Sequence, residues 1–217
     1  MPTRSLKSAT AEAEAGKGAI RQANEALILS AAERLFARTG FTGATMAGIA
    51  DEAGLPKANV HYYFGSKLAL YRAVLARTLH DWLVPLDGLK ADADPAAALA
   101  AYIRAKMAMS ALRPDASRVF ANELLHGAAV VGDLMRGELR QAVRQKAAVI
   151  DGWIAAGHMA PVDSTHLFFT IWAATQTYAD FAVQVSAVLG RNELSASDHT
   201  RATEHVVGLI LRGCGLL

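Results

Sequence analysis

The chain has 217 residues, 53% hydrophobic and 19% charged, which allows one or two domains with a sizeable core and excludes a disordered chain. No apolar run reaches the roughly 18 residues of a membrane span; the N-terminus has no apolar signal core, and the lone Cys214 cannot form an internal disulfide, so a reducing, cytoplasmic setting with no membrane partner is expected. The net charge of +2 lies wholly in the first part, where residues 1–87 carry 10 Lys/Arg against 8 Asp/Glu, while residues 88–217 carry 12 against 12, a distribution that fits an acidic partner at the N-terminal end.

No alternating strand pattern appears, and the periodicity predicts an all-α fold of about nine helices. Residues 1–18 are small and polar and read as a flexible arm. A first helix is expected over 21–39, with Leu27, Ile28, Ala31, Leu35 and Phe36 as its apolar stripe and Gly40 as its stop. Thr45 reads as the N-cap of a second helix that buries Met46, Ile49 and Ala50 and stops at Gly54. Pro56 opens a short third helix with Val60 and Phe64 inward and Gly65 at its end. Ser66 caps a fourth helix to about 84, and residues 87–94 form a loop. Further helices are expected at about 95–112, 114–128, 133–157, 164–189 and 198–213, with Arg136, Arg140, Arg144 and Lys146 on a solvated face.

The third helix displays Lys57, Asn59, His61, Tyr62 and Tyr63 within seven residues, more polar surface than a helix built for a core needs. Preceded by a helix and a tight Gly54-Leu55 turn, it reads as the second helix of a helix-turn-helix, which lies in the DNA major groove. Asn59 suits bidentate contact with adenine, Lys57 a guanine edge or a phosphate, and Ala58 a thymine methyl. His61 and Tyr62 suit phosphate or base edges. Tyr63 sits nearer the helix edge, where a phosphate contact and a purely structural role both fit. Lys67 and the Thr45 hydroxyl suit phosphates at two helix N-termini. Residues 28–75 resemble the N-terminal domain of TetR-type transcriptional repressors, through the A-A-x-x-L-F-x-x-x-G-F run, the T-M-A-G-I-A-x-x-A-G helix and Y-Y-F-x-S-K. Two positions depart from that pattern: Pro56 stands where Ser or Thr commonly caps the third helix, and Ala69 where Glu is common. The resemblance implies a DNA-binding domain at 19–67, a ligand-binding and dimerisation domain at 68–217, a palindromic double-stranded operator as partner and a homodimer.

In the second part, residues 166–190 are apolar on nearly every face, as in a helix buried on two sides. With the last helix, through Val206, Val207, Ile210 and Leu211, it is expected to form a four-helix interface with its symmetry mate. Trp172 and Gln176 share a face, and a buried Gln amide needs a partner. Aromatic walls plus an amide suit a flat heterocycle with adjacent N–H and C=O groups, and Trp82 offers another wall or donor; the alternative is three satisfied core residues. The run P-V-D-S-T-H-L-F-F-T-I-W-A-A-T-Q-T-Y-A-D-F at 161–181, with L-I-L-R-G near the end, resembles the C-terminal domain of the pyrimidine-utilisation regulators of the same superfamily, which sense uracil or thymine. That resemblance implies a pyrimidine effector held by Trp82, Trp172 and Gln176, with Tyr178 and Asp180 as further candidates, and no cofactor. A lipophilic effector, or none, stays open as an alternative. An enzyme is not expected. Glu123 and His126 make two ligands and no site, and no nucleophile elbow, phosphate loop or metal motif is present.

Overall fold

In the computed structural model, residues 5–217 are described, with side chains from Gly18 onward; residues 5–18, expected as a flexible arm, are instead helical and open the first helix, while residues 1–4 lie outside the described residues. Among the described residues every regular element is a helix. The chain divides into two compact units at Val74/Leu75, rather than after Lys67 as expected. The reason lies in α4 (Lys67–Leu83), whose first turns bury Leu70, Tyr71 and Val74 in the first unit.

The first unit holds α1 (Ser5–Gly43), α2 (Met46–Ala53), α3 (Lys57–Phe64) and the start of α4. The backbone of α1 breaks at Gly40, with φ 70° and ψ 174°, where helical hydrogen bonding passes into a further turn. Ile28, Ala31, Ala32 and Phe36 are buried on α1; Leu27, expected among them, is 50% exposed, because the inward stripe runs half a turn away from it. Tyr71 meets Phe36 edge-on at 4.9 Å and Phe41 at 5.0 Å, an aromatic cluster that fixes α4 against α1. The Thr45 hydroxyl accepts from the Gly48 amide at 3.0 Å, and Gly54 ends α2 in the left-handed region at φ 66°. Glu52 on α2 binds both Arg34, at 2.8 Å, and Arg38 on α1.

The second unit contains the rest of α4, a 3₁₀ turn (Val84–Gly88), α5 (Pro95–Leu112), α6 (Pro114–Leu125), α7 (Gly132–Leu134), a π-helical turn (Met135–Leu139), α8 (Arg140–Ala155), α9 (Ser164–Asp180), α10 (Ala182–Leu189) and α11 (Ala196–Gly213). Asp94, Asp163 and Ser195 cap α5, α9 and α11, the last through a capping box with Asp198. The central element is α5, which packs against α9 and α11 and buries Leu99, Tyr102, Ile103 and Met107. The long helix expected at 164–189 is broken at Phe181, where φ −114° and ψ 31° leave the helical region. On α11, Val206, Val207, Ile210 and Leu211 all lie in the unit's own core, so they are not an interface face as expected. The same 3.6-residue period leaves Leu209 exposed on the opposite side. Lys146 also departs from the expected solvated face, since its ammonium donates to the Leu89 carbonyl at 3.1 Å.

The two guanidinium partners hold the Glu52 carboxyl down at about 2, against an ordinary 4.5. A depressed carboxyl stabilises the fold above its unfolded value and loses that contribution as pH falls towards the folded one. Urea unfolding is expected to give a lower midpoint for Glu52→Gln than for wild type at pH 7, with the gap closing as pH falls from 4.5 towards 2.

Candidate nucleic-acid interface and ligand cavity

On α3 the side chains divide as an eight-residue helix with one buried side must. Val60 is fully buried, Phe64 half-buried, and Lys57, Ala58, His61 and Tyr62 are exposed. Asn59 and Tyr63 are half-buried at the edges. Pro56 supplies no side-chain cap, in keeping with its departure from the family pattern. The Tyr63 hydroxyl accepts from the Asn24 amide at 3.2 Å, so Tyr63 is held by α1 and keeps its own proton for an outside acceptor. Asn24 was invisible to motif reading because it lies 39 residues away. Tyr62, 77% exposed, stands edge-on to Tyr63 at 5.3 Å. Thr45 is exposed while its oxygen caps α2, and its hydroxyl proton remains to donate.

Lys67 does something other than expected. Its ammonium donates to the carbonyls of Phe41 at 2.8 Å, Ala44 at 2.9 Å and Thr42 at 3.4 Å, and lies 4.6 Å from the Phe41 ring centre. An ammonium has three protons, and all three are engaged. The side chain therefore ties α4 to the free carbonyls of the α1–α2 connection and has no donor left for a phosphate. At the same helix start the Ser66 hydroxyl accepts from the Ala69 amide at 3.2 Å, the cap expected of it.

The second unit encloses a cavity of about 80 Å³ in which three of the expected ligand residues, Trp82, Trp172 and Gln176, converge. Leu124, Met135 and Leu139, from the end of α6 and the π-helical turn, close one side. Two residues not foreseen from the sequence also line it, Tyr102 and Lys106. They are four apart on α5 and so share a face. The available signal was a lysine at the helical spacing of the buried positions in a mostly apolar run, 98–112, whose other charge, Arg104, falls off that spacing. The side chain of Lys106 is 2% exposed, and its ammonium lies 4.0 Å from the centre of the Trp82 ring. The ring face is the contact the structure gives this ammonium. Burial pushes its pKa down to about 7, opposed by the Asp180 charge. Trp82 also packs on Phe120 at 4.8 Å.

The Trp172 indole N–H donates to the Tyr102 hydroxyl at 2.8 Å, so this ring too offers its face to the cavity rather than its proton. Asp180 accepts from the Ser117 hydroxyl at 2.6 Å and stands outside the cavity lining, acting on Lys106 through charge. Burial raises its pKa, against the hydrogen bond from Ser117 and the charges of Lys106 and Arg118. Tyr178 does not join the others. It lines a groove with Ser186 and His199, because two residues along a helix from Gln176 is the far side. Glu123 and His126 are also accounted for, Glu123 accepting from the Val130 amide at 2.6 Å and the His126 ring pairing with the Asn122 carbonyl at 2.8 Å.

Comparison with known proteins agrees with both units. Residues 28–74 match the family described as bacterial regulatory proteins of the tetR family, and residues 75–217 match the C-terminal region of YcdC-like proteins. The HTH-type transcriptional regulator RutR of Escherichia coli strain K12 is 44% identical over 191 residues, 88% of this chain and 90% of RutR. The HTH-type transcriptional regulator TtgR of Pseudomonas putida is 30% identical over 132 residues, 60% of each chain. Among solved structures, a tetR-family regulatory protein from Rhodococcus RHA1 superposes with a TM-score of 0.69 at 20% identity, covering 87% of this chain and 95% of that one. The tetR-family regulator PfmR from Thermus thermophilus gives 0.63 at 20% identity, covering 85% and 97%.

Replacing Lys67 with Met leaves three carbonyls without their donor. The full chain should lose about 1–3 kcal/mol of stability in denaturant unfolding. The salt dependence of its DNA binding should stay unchanged, whereas a slope reduced by about one would return Lys67 to the phosphates.

Proposed function

Because this chain belongs to the tetR family of bacterial regulatory proteins, we propose that it is a homodimeric repressor that holds a palindromic operator until a small pyrimidine such as uracil or thymine enters the second unit. The observation that carries the effector is the buried Lys106 side chain, whose ammonium rests on the Trp82 face, in a cavity that Gln176 also lines. A buried charge without a hydrogen-bond acceptor is costly, and a ligand carbonyl supplies one. Trp82 and Trp172 give flat walls for a ring, and the Gln176 amide offers an acceptor to a ring N–H and a donor to a neighbouring carbonyl. Size argues the same way. A cavity of about 80 Å³ suits a single ring, whereas pockets for drug-sized ligands run to about 300–1,000 Å³. A lipophilic effector would also leave Lys106 unanswered.

In this reading DNA is met by Lys57, Ala58, Asn59, His61, Tyr62 and Tyr63, with Thr45 on the backbone. Two recognition helices must reach successive major grooves roughly 34–36 Å apart, which requires two copies of the chain. The face offered for pairing is the exposed apolar one, with Phe169 on α9, Phe181 at the bend, Val183 and Val188 on α10 and Leu209 on α11. Trp82 of the cavity and Leu70 and Tyr71 of the first unit's core belong to one helix, α4. A ligand that binds one arrangement of α4 better shifts the equilibrium by no more than that difference in affinity.

Asn59→Ala should relax sequence preference at adenine positions by roughly 1–3 kcal/mol while leaving non-specific binding intact, as read by gel shift against scrambled duplexes. For the effector, the sign follows from Lys106. A neutral carbonyl ligand binds its protonated form, so calorimetry should give uracil an affinity that is flat below about pH 7 and falls by up to tenfold per unit above it. Tyr102, held up at about 12, keeps its proton throughout. Lys106→Met should lose both the affinity and its pH dependence. A pH-independent affinity between pH 6 and 8.5 in the wild type argues against the ammonium as donor.

A further inference from the structure

The edge of α3 is joined to a charged stretch of α1. The Tyr63 hydroxyl accepts from the Asn24 amide at 3.2 Å and keeps its one proton to donate. Arg21 stands three residues before Asn24 and shares its face of the helix, beside the same tyrosine. Its side chain is 61% exposed and bonds through Nε to a Glu25 carboxylate oxygen at 2.9 Å. The Glu25 hydrogen bond and charge raise the Arg21 pKa, and Tyr62 and Tyr63 act in the same direction, so both rings lie within electrostatic reach of the cation. A guanidinium, a phenol with a proton to give and the exposed Tyr62 therefore meet at one place.

The core does not explain this cluster. Among the described residues the buried stripe of α1 begins at Ile28, two turns beyond Arg21. The ion pair with Glu25 is a weak tether, because it is exposed and because the cation precedes the acid, the less favourable order for an i, i+4 pair. It uses one of the five guanidinium protons. A backbone phosphate is the stronger partner, since it is charged and takes two parallel N–H bonds from the planar fork. We propose that the DNA-binding surface crosses from α3 onto α1, where Arg21 and the Tyr63 hydroxyl hold one backbone phosphate and Glu25 keeps the arginine folded back until that phosphate arrives. This rests on α3 meeting DNA, as proposed above, and adds a contact outside the helix-turn-helix. Such a contact sets affinity and register and reads no base.

The test uses the full-length protein and two duplexes, one of mixed sequence and one that the wild type selects from a random pool. Fluorescence anisotropy across a salt series gives affinity and salt slope for each. Arg21→Gln should weaken both duplexes about tenfold and reduce the slope by about one, with the preference between them kept. Tyr63→Phe should cost a few-fold with the slope unchanged, because the lost donor is neutral. The double variant Arg21→Gln/Tyr63→Phe should lose less than the product of the two single losses, since both side chains serve one phosphate. Glu25→Gln should tighten binding about threefold. An unchanged slope in Arg21→Gln, an exposed position whose replacement spares the fold, would overturn the arginine contact even where Tyr63→Phe folds poorly. Losses that multiply in the double variant would overturn the shared phosphate, and a Glu25→Gln protein that binds no tighter would overturn the restraint. If Asn59→Ala still relaxes sequence preference in those cases, α3 keeps its place on the DNA and this proposal alone falls. A wild type that binds neither duplex removes both.

Discussion

A lysine with 2% exposure whose ammonium rests on an aromatic face is the arrangement around which the second unit makes sense. Taking an unpaired charge out of water is expensive, and proteins rarely tolerate it for packing alone. Two features soften the cost without removing it: the face of Trp82, 4.0 Å away, and the Asp180 carboxylate behind. Burial still holds its pKa down, to about 7, because the Asp180 charge offsets only part of the cost. The aromatic walls, the Gln176 amide and the Tyr102 hydroxyl are all set round this one group.

The first unit solves the opposite problem with the same residue type. Lys67 has every donor occupied, by carbonyls that a broken helix would otherwise leave bare. The backbone breaks at Gly40 within α1, the carbonyls of Phe41, Thr42 and Ala44 beyond it meet at one ammonium, and the first turn of α4 supplies that cation. With α4 tied down by Lys67 and by the Phe36, Phe41 and Tyr71 cluster, and α2 tied to α1 through Glu52, α3 needs little burial of its own. That frees its remaining face. A helix that buries only Val60 fully can present Lys57, Ala58, His61 and Tyr62 outward because its neighbours, not its own core, hold it in place.

Much of this was legible along the chain wherever the deciding forces are local. Caps at Thr45, Asp94 and Asp163, the left-handed Gly54 and the outward face of α3 follow from residue type and helical period. Trp172 and Gln176 could be paired for the same reason, being one turn apart. The errors arose where a face had to be chosen between two apolar alternatives. On α11, Val206, Val207, Ile210 and Leu211 pack inward, yet nothing in their chemistry distinguishes a core face from a subunit face. Tyr178, implied for the cavity by the resemblance, lies on the other side of α9.

The sequence by itself determined the helical fold, the helix-turn-helix and the residues its second helix shows to solvent, because hydrophobic period and capping act within a few residues, while breaks such as that at Phe181 were not legible in it. Tertiary structure alone decided what the polar side chains do. Whether Lys67 meets a phosphate or a carbonyl, and whether Lys106 is a surface charge or the floor of a cavity, depends on which atoms from distant segments come within about 3 Å of the ammonium, the reach of a hydrogen bond. No periodicity encodes that distance; only the packed chain sets it.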